Sequence, residues 1–136
     1  MNSQARSLSH QEIIEFAQAF DPQPYHLDSA AGDASIFGGL CASGWQVAAL
    51  ATQLVTEALT AEGVRPVMLT GVPSLTWRKP TFVDQSISTG ITLRDRKSGS
   101  MVPDCDSQTV TISVFGPDES LVAEITAIFA VESGHE

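Results

Sequence analysis

Asp21 and His26 are separated by the short stretch Pro22-Gln23-Pro24-Tyr25. Its two prolines fix φ at their own positions and push the residues before them out of the α region. A carboxylate and an imidazole on so stiff a segment supply a general base and a second proton-handling group. Downstream, Ser43-Gly44-Trp45 opens a long apolar run of helical character. A helix N-terminus carries backbone N–H groups with no intrahelical partner and the positive end of the macrodipole. Glycine at such a point leaves no Cβ in the path of an approaching group. Together these groups are suited to moving protons to and from a water molecule while negative charge builds on a nearby carbonyl oxygen.

The elements that must position them follow from pattern and punctuation. Ser9-His10-Gln11-Glu12 is a capping box, and Ile13, Ile14, Ala17 and Phe20 repeat behind it at helical spacing. Pro22 ends that helix. Asp28 is an N-cap for a short helix over 28–34, and Phe37-Gly38-Gly39-Leu40 reads as a tight loop. The longest helix is predicted over 43–60. It has no charge before Glu57, so burial on most sides is expected. At about 1.5 Å per residue it runs about 27 Å, enough to pass through the middle of a small domain. Strands are predicted at 67–72, 74–77, 86–93, 109–115 and 121–131, with a turn at Gly116-Pro117-Asp118 and a mobile loop at 97–100. Helices followed by turn-linked strands make an α+β pattern with an antiparallel sheet. Such a sheet has free edges, and pairing of edges between two copies would cover them, so a homodimer at least is expected.

The totals bound the function. The 136 residues suit one domain spanning 1–136, and 43% hydrophobic with 17% charged residues describes an ordinary folded chain. A net charge of -9 repels nucleic acid over most of the surface. The few cations gather at Arg78-Lys79 and at Arg94, Arg96 and Lys97, where an anionic small molecule would be received. No run is long enough to span a bilayer and residues 1–9 lack a signal-peptide core, so no membrane association and a cytoplasmic location are expected. Cys41 and Cys105 form no CxxC and read as free thiols, Cys41 as a small buried hydrophobe. His10, His26 and His135 are dispersed, so no metal site is expected.

Two stretches carry a resemblance: 16–28, Phe-Ala-Gln-Ala-Phe-Asp-Pro-Gln-Pro-Tyr-His-Leu-Asp, and 35–45, Ser-Ile-Phe-Gly-Gly-Leu-Cys-Ala-Ser-Gly-Trp. They resemble the MaoC-like dehydratases, hot-dog-fold proteins related to (R)-specific enoyl-CoA hydratases. The resemblance implies a long central helix wrapped by a curved antiparallel sheet. It implies Asp21 and His26 as the catalytic pair and the Gly44 N–H facing a thioester oxygen. Thr52 falls where several hydratases carry a serine. Departures are Gln23 before Pro24 in place of the usual Asn, the short lead of 1–8 before the first helix, and 81–85 without a Pro-Gly-Asp turn.

The implied activity is reversible hydration of a trans-2-enoyl thioester of coenzyme A or an acyl-carrier protein to the (R)-3-hydroxyacyl form, in fatty acid metabolism and with no cofactor. Ser43, Trp45, Thr52, Arg78 and Lys79 are the candidate substrate contacts. Each has a plainer reading beside it: Ser43 as the N-cap of the long helix, Trp45 as core packing, Thr52 as helix packing, and Arg78-Lys79 as a solvated strand end. Asp21 alone reads equally as a turn residue before proline, and His26 alone as a hydrogen-bonded histidine. Two other functions stay open. A hot-dog thioesterase is disfavoured because its carboxylate usually sits near the central helix, which has no acid before Glu57. A non-catalytic acyl-binding or partner-binding subunit would retain the motif by descent.

Overall fold

Residues 1–134 are described by a computed structural model; His135 lies outside the described residues. The chain runs β1 (Arg6–Ser7), α1 (His10–Phe20), α2 (Pro24–Leu27), α3 (Ser29–Ala34), α4 (Gly44–Ala61), β2 (Pro66–Trp77), β3 (Ser86–Lys97), β4 (Cys105–Phe115) and β5 (Leu121–Glu132). The strands form one antiparallel sheet in the order β1-β3-β4-β5-β2. It curls around α4, the architecture expected from the resemblance.

α1 begins as its capping box requires. The Glu12 N–H donates to Ser9 Oγ at 3.1 Å, and the Ser9 N–H donates to the Glu12 carboxylate at 3.0 Å. That backbone bond, ahead of smaller effects, holds the Glu12 carboxyl below its ordinary pKa. Its contribution is therefore present above the unfolded-state value and is lost as pH falls through the folded-state value. α1 ends at Phe20, and Asp21 caps it with its N–H on the Ala17 carbonyl. The proline segment then makes one extra turn of helix, α2, which sequence reading left as a stiff connector. Pro24 sits at its start, where a missing N–H and a fixed φ cost nothing.

One side of α4 supplies the core. Val47, Leu50, Ala51, Leu54, Val55 and Leu59 pack with Ile87, Ile91, Val110, Ile112, Val114, Ile125 and Phe129 from the sheet. Each such side chain, fully buried, contributes roughly 1.5–3 kcal/mol. The expectation that α4 is buried on most sides is corrected. Trp45, Ala49, Gln53 and Glu57 form a solvent-facing stripe at four-residue spacing, because one curled sheet covers only one side of a helix. Across that core, Gln46 donates its amide N–H to the Glu12 carbonyl at 3.0 Å and ties α4 to α1.

The strands are longer than the sequence reading drew them, and β1 was not among them. Residues 67–72 and 74–77 belong to one strand, β2, with register shifts on either side of Gly71. Pro73 is tolerated because β2 is at the sheet edge and needs a ladder partner on one side only. The opposite edge is closed by residues before α1: β1 pairs with Ser86–Ile87, and Asn2 bridges Gly90. Both cysteines are free, as expected, and both are buried, as was expected of Cys41.

Candidate functional site

Three local choices build one cleft. α1 is capped by Asp21, whose carbonyl accepts from the Gln23 N–H at 2.8 Å. Pro24 starts α2 and delivers His26 inward, where its side chain is 8% exposed. The following loop returns so that Cys41 bonds both Tyr25 and His26. The Cys41 N–H donates to the Tyr25 carbonyl at 3.2 Å, and the His26 ring donates from Nδ1 to the Cys41 carbonyl at 2.6 Å. The next residue, Ala42, donates its N–H to the Thr81 carbonyl at 2.8 Å. The strip 41–42 is thus clamped between α2 and the chain following β2.

A carbonyl can only accept, so the His26 Nδ1 must carry the proton. In the neutral ring this leaves a lone pair on Nε2. Nε2 lies 3.5 Å from Asp21 Oδ2, and the Asp21 side chain is 25% exposed. A carboxylate oxygen and an imidazole lone pair at that separation are two acceptors facing one region. What satisfies both is a donor with two O–H groups, and water is the smallest.

Asp21 Oδ2 already accepts from the Ser43 hydroxyl at 2.7 Å. Ser43 also caps α4, its Oγ accepting from the Trp45 N–H at 3.3 Å. Gly44 is the first residue of α4, and its own N–H has no hydrogen-bond partner among the described residues. Gly44 directly follows Ser43, whose hydroxyl binds Asp21, and lines the same cleft as the acid–imidazole pair. The Gly44 carbonyl accepts from the Trp77 indole N–H at 2.9 Å.

The cleft has a volume of about 370 Å³. Asp21, His26 and Gly44 all line it, with Trp45, Arg78 and Lys79 from the expected substrate contacts. Ser43 and Thr52 do not line it. Ser43 is fully buried with its hydroxyl already engaged. Thr52 spends its hydroxyl on the Ala48 carbonyl at 2.8 Å, one turn back along α4. Arg78 is paired with Glu124, both half exposed, whereas Lys79 has no carboxylate partner among the described residues.

Sequence reasoning named Trp45 but missed the rest of the aromatic wall. Tyr25 packs edge-on against His26 and Phe37, and Trp45 packs edge-on against Trp77 at 5.2 Å between ring centres. Trp77 was findable, since it adjoins Arg78-Lys79 at the end of a predicted strand. Tyr25 and Phe37 meet only through tertiary folding. Cys41 also lines the cleft, and burial pushes its thiol pKa up. It is therefore a neutral wall group rather than a nucleophile.

The role expected for the missing Cβ of Gly44 is corrected. The space is filled by Trp77: a Cβ at Gly44 would stand 2.7 Å from the indole ring. Glycine is needed here so that the ring can close over the start of α4.

The comparisons with known proteins bear on the family and the fold. The family model described as "MaoC like domain" matches residues 1–114. The crystal structure of a MaoC-like dehydratase from Rhodospirillum rubrum is 29% identical; the match covers 99% of this chain and 91% of that one, with a TM-score of 0.81. An (R)-hydratase from A. caviae involved in PHA biosynthesis is 21% identical over 96% of this chain and 93% of its own, with a TM-score of 0.73, a likeness of fold. A protein of Bacillus subtilis, YdeM, whose function is uncharacterized, is 29% identical over 91 residues. That match takes in 66% of this chain and 63% of the relative's length.

Gly44→Ala is expected to displace the Trp77 ring and cost about 1–3 kcal/mol, the usual range for overpacking. Denaturant unfolding followed by tryptophan fluorescence measures it. A loss below about 0.5 kcal/mol, within the range of neutral surface changes, would show that the ring yields freely and that glycine is not required by it.

Proposed function

This chain belongs to the MaoC-like domain family, and from that premise and the cleft we propose that it is a hydro-lyase acting on acyl thioesters. The reaction is reversible syn hydration of a trans-2-enoyl-CoA, or its acyl-carrier-protein equivalent, to the (R)-3-hydroxyacyl thioester. The observation that carries the reading is the convergence of Asp21, His26 and Gly44 on one cleft.

In the proposed step a water donates one O–H to Asp21 and the other to His26 Nε2. Its oxygen bonds to C3 of the substrate as the C2=C3 electron pair moves toward the thioester, placing negative charge on the carbonyl oxygen. The Gly44 N–H receives that charge at the positive end of α4; one such donor is worth about 3–4 kcal/mol in comparable oxyanion holes. The pair takes one proton from the water and returns one to C2. The net change is HO on C3 and H on C2, delivered from the same side because both proton-handling groups lie on one side of the cleft. Dehydration is the same path reversed. The aromatic wall suits the acyl part, and Lys79 with the outer part of Arg78 suits coenzyme A phosphates at the mouth.

Asp21→Asn is expected to lower turnover by about a thousandfold or more, to a small residual rate, while the fold persists, and His26→Ala to lower it at least about a hundredfold. Loss of the enoyl absorbance of crotonyl-CoA without release of free thiol is the readout. Near-normal turnover in Asp21→Asn defeats the assignment. Release of thiol would make the chain a thioesterase, and no change in either signal would make it a binder. The thioesterase reading is disfavoured further by Glu57, the first acid on α4, which is exposed and lines a separate hollow with Met1 and Glu62.

We also infer that the chain works as a homodimer, in the cytoplasm. The edge strand β2 leaves Val67, Met68, Leu69 and Val72 in solvent, an apolar edge of the kind that pairs with another chain. Light scattering behind a sizing column is expected to give twice the chain mass at micromolar concentration. A monomer there contradicts the inference.

A further inference from the structure

We propose that Ser43 is a positioning residue that fixes the distance between the base and the oxyanion donor; the inference rests on the hydro-lyase reading above. Ser43 was expected to cap a helix or touch substrate. It is fully buried and does not line the cleft, so substrate contact is excluded in this arrangement.

Its hydroxyl has one proton. Oγ accepts from the Trp45 N–H at 3.3 Å and stands 2.7 Å from Asp21 Oδ2. The carboxylate can only accept, so the proton points at Asp21. A charge-assisted O–H···O⁻ bond of this length is among the stronger hydrogen bonds available. The Ser43 backbone carbonyl accepts from the N–H groups of Gln46 and Val47 at 3.0 and 3.1 Å. This one residue therefore belongs to the first turn of α4 and holds the side chain of Asp21, twenty-two positions earlier. Gly44, the next residue, carries the uncommitted N–H. Base and oxyanion donor are joined through a single side chain and a single peptide unit.

The bond also sets the orientation of Asp21. Oδ2 is engaged by Ser43 on one side and faces His26 on the other. Without the hydroxyl, no hydrogen bond among the described residues opposes rotation about χ2, and the two acceptors no longer face one point. Misplacement of a reacting group by about 1 Å costs on the order of a hundredfold in rate.

Two substitutions separate this role from capping. Ser43→Ala removes the donor and the cap, whereas Ser43→Gly removes the donor and leaves a residue that N-caps a helix nearly as well. Both are expected to lower kcat by about tenfold to a hundredfold, with KM changed by less than about threefold. Placed in an Asp21→Asn background, neither is expected to lower the residual rate by more than about twofold, because the group it acts through is already lost. Ser43→Gly at wild-type kcat, a full loss persisting in the Asp21→Asn background, or an effect confined to KM would each overturn the proposal. If the wild-type chain hydrates no enoyl thioester, the hydro-lyase reading fails by itself. The crystal structure of Ser43→Gly then still decides the positioning role: an Asp21 carboxylate turned away from His26 supports it, and one unmoved overturns it.

Discussion

The hydrogen bond from His26 Nδ1 to the Cys41 carbonyl is the interaction on which the site depends. At 2.6 Å and inside the protein, it assigns the proton of the neutral ring to one nitrogen and leaves the other as an acceptor. A ring in the other tautomer would offer Asp21 a donor, and the two would satisfy each other. Holding Nε2 as a lone pair beside a carboxylate makes the pair a receptor for something that gives two protons. The same bond ties α2 to the strip leading into α4, so chemistry and local architecture share one constraint.

The wider fold serves to keep that strip still. α4 is anchored along one side by aliphatic packing against four strands and at its start by Ser43 and by the Trp77 indole. Its first N–H is thus presented by a rigid element, which is what an oxyanion donor requires, since reorganisation during the reaction would spend the stabilisation it provides. The cleft lies at the N-terminal end of α4, where four elements end or begin: α1, α2, α4 and β2. Helix and strand ends leave backbone groups uncommitted, and several here are committed: Cys41 to Tyr25, Ala42 to Thr81 and the Gly44 carbonyl to the Trp77 indole.

Much of this was legible in the sequence because it is local. The capping box at Ser9, the stop at Pro22, the cap at Asp28 and the long apolar run of α4 are all short-range signals, and each appears as an element or boundary where it was expected. Asp21 and His26 were readable as a pair because only four residues and two prolines separate them. What was not legible is what folding alone brings together. Ser43 and Asp21 belong to different elements, and serine before a helix reads as a cap whether or not its proton has another use. Trp77 against Gly44 is a contact between a strand end and a helix start, so glycine's role was misread as room for a ligand. Thr52 looked like a site residue by position, but a threonine inside a helix can turn its hydroxyl back to the carbonyl four residues earlier, and this one does. The exposed stripe on α4 was missed because apolar composition reports how much can be buried, not how many neighbours exist to bury it.

The central claim is that Asp21 and His26 Nε2 act as two acceptors that share one water beside the Gly44 N–H. A crystal structure at resolution sufficient to place solvent, with the protein near neutral pH, tests it without reference to turnover. The account predicts a single ordered water within hydrogen-bond distance of both an Asp21 carboxylate oxygen and His26 Nε2. A direct Asp21–His26 hydrogen bond with no water between them, or a ring turned so that Nε2 faces the Cys41 carbonyl, would contradict it.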